Sequence, residues 1–285
     1  MTCGGESVFL TQSVGDVLDW GLPRLRDLPW RRTRDPWAIL VSEVMLQQTQ
    51  VQRVIPKWLL FMDAYPTPAD CAAAALGDVL RLWQGLGYPR RARNLQLAAI
   101  EVTRLGRFPT TLEQLLALPG VGHYTARAVM AFAFESDVAV VDTNIARVVA
   151  RVGGYALTAK QVQSAADQAQ PQGMSWEWNQ CLMELGAVLC RPTPNCAECP
   201  LVAVCAWHGV GLDPAVGSAG VSRPQLRFEG SERQARGRLL AALTSGPVAV
   251  GSVSGVMLHP AADRLLAALC GEGLVQRDGE FLRLP

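Results

Sequence analysis

The chain has 285 residues, 49% hydrophobic and 18% charged, and its 26 basic and 25 acidic side chains leave a net charge of +1. At roughly 150 residues per domain this length predicts about two domains with a sizeable core, and the composition excludes a disordered or collagen-like chain. There is no run of the roughly 18 apolar residues of a membrane span and no basic leader, so a soluble cytoplasmic protein is expected, and a near-neutral total by itself points to no polyanionic partner.

From about 35 to 205 the pattern is helical. Asp35-Pro36 reads as an N-cap followed by proline at the first helical position, and Ile39, Leu40, Val44 and Leu46 continue at helical spacing. A long helix is expected from about Arg90 to Gly106. Thr111 with Gln114, and Thr158 with Gln161, have the spacing of capping boxes. Leu118-Pro119-Gly120-Val121-Gly122 separates predicted helices at about 111–117 and 123–134. Its glycines let the backbone approach a ligand while the amides opening the second helix face outward, a phosphate grip that needs no side-chain charge. An ordinary helical hairpin closed by a glycine fits this segment equally well. A further helix from about Ser175 runs into Cys190. Strand-type alternation is weak throughout, so the region reads as all-α.

Four of the eight cysteines are clustered. Cys190, Cys196, Cys199 and Cys205 form C-x5-C-x2-C-x5-C, with Pro192, Pro194 and Pro200 stiffening the loop. Four soft ligands at such range suit zinc or an iron–sulfur cluster. The helical region is bounded at 1–207, and 208–224, rich in Gly, Ser and Pro and without period, reads as a linker. In 225–285, helical patterns at about 231–244 and 258–271 precede LVQRDGEFLRL, where Asp278-Gly279 marks a hairpin. Helices followed by a hairpin suggest a small winged-helix module.

Two carboxylates stand out from their surroundings. Glu43 has Ile39 and Leu40 one turn behind and Leu46 with Gln47 one turn ahead, which sets it beside an apolar face where desolvation would raise its pKa. Spacing alone favours a solvated glutamate instead. Asp142 precedes the helical run 145–149, and as an N-cap it would receive helix amides that lower its pKa and keep it anionic. The only lysines are Lys57 and Lys160.

LPGVGHYTARAV, followed eighteen residues after Tyr124 by Asp142 in VVDTNIARV, resembles the helix–hairpin–helix base-excision DNA glycosylases. With SEVMLQQTQV at 42–51, GLGYPRRARNL at 85–95 and the four-cysteine loop, in unbroken order over about 20–207, the chain resembles the MutY-type adenine DNA glycosylase family. The resemblance implies a mainly α fold, and a monomer that removes adenine opposite 8-oxoguanine or guanine from double-stranded DNA, nucleoid-associated when bound. It implies that Glu43 protonates the base, that Asp142 is the catalytic carboxylate with Asn144 beside it, and that Tyr124 replaces the Schiff-base lysine of the endonuclease III branch, giving excision without strand cleavage. Gln47, Gln48 and Tyr88 match intercalating positions, and Arg31 and Glu184 match positions near the adenine pocket. Arg90, Arg91 and Arg93 form a basic cluster suited to phosphates, together with Gly120, Val121 and Gly122 of the hairpin. Cys190, Cys196, Cys199 and Cys205 would hold a four-iron four-sulfur cluster, although the family's first interval is usually one residue longer, with Arg191 as a phosphate contact on the same loop. The residues after 224 are too few for the family's Nudix-like domain, so Arg233, Arg236 and Arg238 are the remaining basic candidates there. A thymine mismatch glycosylase on the same scaffold and a catalytically silent iron–sulfur DNA-binding protein are the alternatives.

Overall fold

The computed structural model describes residues 13–221 and 227–285, and it is helical up to a small sheet at the C-terminal end. The chain divides into two compact units: Met1–Pro36, Thr110–Leu112 and Gly122–Arg223 in the first, and Trp37–Pro109, Glu113–Val121 and Pro224–Pro285 in the second. Each is made of segments distant in sequence, so this division does not follow the 207/225 boundary expected from composition.

In the first unit, α1 (Val14–Gly21), α9 (Thr143–Gly153), α10 (Ala159–Ala169) and α11 (Ser175–Val188) surround a core that includes Ile145, Val149, Trp178, Leu182 and Leu185, and α8 (His123–Ala133) packs on α11. The Thr158–Gln161 capping box forms, starting α10. Helix α9 is buried from Ile145 to Val152, including Arg147 and Arg151, which are four residues apart and therefore share a face. Residues 208–221, where a linker is expected, are fastened instead. Arg151 is ion-paired with Asp213 at 2.6 Å, the Leu157 amide donates to Ser218 Oγ, and the Ala219 amide to the Leu157 carbonyl. Absence of period signalled irregular structure there, and irregular structure can still be docked. The remainder of the expected linker, 222–224, falls outside the described residues.

The second unit contains α2 (Pro36–Leu46), α3 (Val51–Ala64), α4 (Pro68–Ala73), α5 (Leu76–Trp83) and α6 (Arg90–Leu105), the last closed by Gly106 in a left-handed cap as expected. Helix α2 is buried on every side from Trp37 to Met45. Phe61 makes edge contacts with Tyr65 and Trp83, and the Trp37 and Trp58 indoles donate to the Tyr65 and Ala38 carbonyls. The short α7 (Leu112–Leu116) leads into the hairpin. Gly120 there has φ +77°, and a Cβ on it would sit 2.7 Å from that of Asn94, so both backbone and space demand glycine.

The C-terminal residues form the expected small module. It comprises α12 (Glu232–Ser245), β1 (Val248–Ala249), α13 (Val253–Met257), α14 (Ala262–Gly271), β2 (Gln276–Asp278) and β3 (Phe281–Arg283). The strands are antiparallel in the order β1-β3-β2, with Leu282, fully buried, opposite both Val248 and Arg277. The helix expected over 258–271 starts later, because Leu258 is left-handed and ends α13 and Pro260 follows it. Strand β1 is only two residues long and leaves no alternation to read. The C-terminal carbonyl of Pro285 accepts the Gly77 amide at the start of α5, which fastens the module to its unit.

Candidate active site and cysteine centre

Asp142 is the N-cap of α9. Its Oδ1 accepts the amides of Asn144 (2.9 Å) and Ile145 (2.7 Å), and its Oδ2 accepts the Asn144 side-chain amide (2.8 Å). The expected geometry is therefore present, but the expected pKa is not. Burial pushes the carboxyl up, and these hydrogen bonds and Arg147 only partly offset it, so Asp142 stands above the ordinary carboxyl value rather than below it. Asn144 is fixed in turn. Its Oδ1 accepts Arg147 Nη2 (2.8 Å), and its Cβ lies 2.5 Å from where Gly186 of α11 would carry one.

Arg147 continues inward. Its Nε donates to the Cys190 carbonyl (2.5 Å) and its Nη2 to the Gly186 carbonyl (2.7 Å), so one guanidinium joins the Asn144 side chain to the start of the cysteine loop. Arg151, one turn on, donates to the carbonyls of Arg191 (2.6 Å) and Pro192 (3.1 Å) and to Cys190 Sγ (3.4 Å), and lies over the Trp207 ring. Sequence reasoning passed over both arginines. Their signal was two charges four residues apart in an otherwise apolar run.

Cys190, Cys196, Cys199 and Cys205 line a single small cavity together with Leu189, Val202 and Trp207. Burial pushes the Cys190 thiol up and that of Cys199 to about 11, so thiolates there require a compensating positive charge. No three His, Cys, Asp or Glu side chains among the described residues converge as a lone ion would need. Four soft thiol donors lining one cavity are a donor set that fits an iron–sulfur cluster.

The first unit also carries Arg31 and Glu184. Glu184, on α11, is completely buried rather than an exposed helical charge, and it accepts Arg31 Nη2 (3.0 Å) and Arg26 Nε (2.5 Å). Arg31 donates further to Gln180 Oε1 (2.7 Å). Arg26 and Gln180 are members of this network that no motif had singled out. Tyr124, half-buried, lies in the first turn of α8, two residues after the exposed N-cap Gly122. Arg191 is exposed at the rim of the cysteine loop.

The second unit carries Glu43, only 5% exposed in the middle of α2, which removes the solvated alternative. Gln47 and Gln48 follow the end of that helix, and Tyr88 follows Gly87 in the turn before α6. Both Gln48 (φ 54°) and Tyr88 (φ 48°) are left-handed, a conformation rare for residues with side chains. The basic cluster needs correction. Arg91 turns inward and spends its guanidinium on backbone carbonyls, so it is not displayed to a phosphate. Arg90 is ion-paired with Glu272 (2.5 Å), and Arg93 lies beside Gly273. In the module, Arg236 pairs with Glu272 and Arg233 Nη1 donates to the Tyr88 hydroxyl (2.8 Å). Arg238 reaches the Met257 carbonyl. Neighbouring basic letters signalled a patch, but the fold sends Arg90 and Arg236 to one shared carboxylate, Arg91 and Arg238 to carbonyls and Arg233 to a hydroxyl.

Residues 41–171 match the HhH-GPD superfamily of base excision DNA repair proteins. The chain is 41% identical to the adenine DNA glycosylase of Mycolicibacterium smegmatis over 280 residues, covering 93% of this chain and 94% of that protein. It is 42% identical to the human adenine DNA glycosylase over 214 residues, 69% of this chain and 39% of the human one. Among solved structures it is similar to a thermostable thymine-DNA glycosylase (TM-score 0.65, 30% identity, 71% of this chain and 97% of that one). It is also similar to endonuclease III in a non-covalent DNA complex (TM-score 0.61, 25% identity, 70% and 96%).

Proposed function

The chain belongs to the HhH-GPD superfamily of base excision DNA repair proteins and to its adenine DNA glycosylase family, and from that premise we propose that it excises adenine from mispairs with 8-oxoguanine or guanine in double-stranded DNA. The observation that carries this reading is Asp142, a carboxylate held by three N–H groups at a helix N-terminus yet desolvated enough to stand above its ordinary pKa. An anion kept against its desolvation gains most when positive charge arises beside it, which is what an oxocarbenium-like deoxyribose supplies. Glu43, buried in α2, protonates the purine, whose bond to the sugar then breaks more readily. Asn144 holds Asp142, and Tyr124 contacts Asp142 or the sugar without forming a Schiff base.

Arg31, held by the buried Glu184, contacts the extruded adenine, and Gln47, Gln48 and Tyr88 fill the gap it leaves. The backbone of Gly120, Val121 and Gly122 grips a phosphate, with Arg90, Arg93 and Arg191 contributing charge. Cys190, Cys196, Cys199 and Cys205 hold a four-iron four-sulfur cluster, which when bound supplies a cross-link that shapes the 190–205 loop. The enzyme acts as a monomer in the cytoplasm, on the chromosome.

The test is incubation with duplexes carrying A opposite 8-oxoguanine, A opposite G and T opposite G, with and without alkali. Alkali-dependent breakage at A, with no adduct trapped by borohydride, is the expected result. Breakage at T selects the thymine enzyme, and binding without breakage selects a silent DNA-binding protein.

A further inference from the structure

Arg91 sits where two loops meet. Its Nη1 donates to the carbonyls of Val44 (2.7 Å), Met45 (3.1 Å) and Gln47 (2.6 Å), at the C-terminal end of α2, where carbonyls lack helical partners and the dipole is negative. Its Nη2 donates to the carbonyls of Leu86 (3.0 Å) and Gly87 (3.2 Å) and to Thr49 Oγ1 (3.2 Å), and Thr49 Oγ1 also lies 3.2 Å from the Leu86 carbonyl. The guanidinium carbon is 5.5 Å from the Trp83 ring centre and 5.3 Å from that of Tyr88. The residues that follow these carbonyls, Gln48 in one loop and Tyr88 in the other, both have left-handed backbones. Such conformations persist only where the surroundings over-determine them.

We propose that Arg91 is a positioning residue for base extrusion: its guanidinium ties the loop bearing Gln47 and Gln48 to the loop bearing Tyr88, so that the three side chains enter the duplex as one wedge. This rests on the wedge role given above to Gln47, Gln48 and Tyr88. The planar fork of arginine is what the arrangement requires, since Nη1 serves the carbonyls at the end of α2 while Nη2 serves the Leu86 and Gly87 carbonyls and Thr49 Oγ1. A lysine ammonium, with three donors at a single point, cannot serve both sets of carbonyls together. Burial lowers the Arg91 pKa to about 10, so the group remains charged at neutral pH and the carbonyls keep a cationic partner.

The test compares single-turnover excision of adenine paired opposite 8-oxoguanine with that of adenine opposite an abasic-site analogue, which needs little extrusion. Unstacking is read in parallel from 2-aminopurine beside the target, in an Asp142→Asn background. Arg91→Lys is expected to slow the paired substrate roughly tenfold or more relative to the abasic one, as follows from losing two or three hydrogen bonds that hold the loops, with a matching loss of the unstacking signal. Thr49→Val, a smaller change at the same junction, is expected to shift the ratio in the same direction by a few-fold and carries the test if Arg91→Lys does not fold. Equal slowing of both substrates, or an unchanged ratio in both variants, overturns the inference and leaves Arg91 as a core support. Gln48→Ala and Tyr88→Ala test the underlying role separately. If neither changes the ratio, the wedge reading fails and this inference fails with it; if both change it and Arg91→Lys and Thr49→Val do not, only the inference fails.

Discussion

Glu272→Gln probes how the C-terminal module is fastened to its unit and what that fastening does to DNA binding. Glu272 is 11% exposed and accepts two guanidiniums, Arg90 at 2.5 Å and Arg236 through both oxygens at 3.0 and 2.5 Å. Burial pushes its carboxyl up, but the two cations outweigh burial and hold it at about 2. Against an ordinary glutamate value of about 4.3, and at ~1.4 kcal/mol per tenfold change in acidity, the ionised form contributes ~3 kcal/mol to folding. Arg90 is 67% exposed, so solvent screening reduces the expected loss to about 2 kcal/mol. Because the folded value is depressed, this stability is present above about pH 4.3 and is lost as pH falls toward 2. Urea unfolding of wild type and Glu272→Gln at intervals from pH 7 to 2.5 should show the gap closing over that window. The same substitution leaves Arg90 and Arg236 without their carboxylate, so duplex binding should tighten and its salt dependence steepen by up to about two phosphate contacts. A stability gap that does not change with pH, or unaltered salt dependence, would refute the clamp.

Asp142→Asn should abolish excision and keep duplex binding. Since burial raises the Asp142 pKa, the ionised carboxylate costs folding stability above about pH 3.9. The variant's melting temperature at pH 7 should therefore match or exceed that of the wild type, with the advantage shrinking as pH falls through the acid range; a large loss of stability at pH 7 contradicts this. Gly186→Ala places a methyl 2.5 Å from the Asn144 Cβ, with backbone atoms of the same residue at 3.0 Å. A cost of about 1–3 kcal/mol and a fall in kcat larger than any change in duplex affinity are expected from denaturation and steady-state assays. Cys199→Ser should remove bound iron and the visible absorbance of the purified protein, and a variant that retains both would deny this residue a ligand role.

The sequence by itself determined the local chemistry: the Thr158–Gln161 cap, the Gly106 stop, the glycine hairpin, the cysteine spacing and Asp142 at the head of a helix are short-range patterns with short-range causes. Only the tertiary structure decided what each charge does. Arg90, Arg91 and Arg93 are near neighbours in the chain, yet one meets Glu272, one closes two loops and one lies against a glycine turn, because helical spacing sends them in different directions into surroundings built from distant segments. The direction of the Asp142 shift was likewise beyond local reading. Capping depends on the next three residues, whereas desolvation depends on everything packed around the carboxylate, and here desolvation prevails. The docked 208–221 segment follows the same logic, since it is fixed by Arg151 near the end of α9 and by Leu157 just before α10, partners more than fifty residues away that no period in its own sequence could encode.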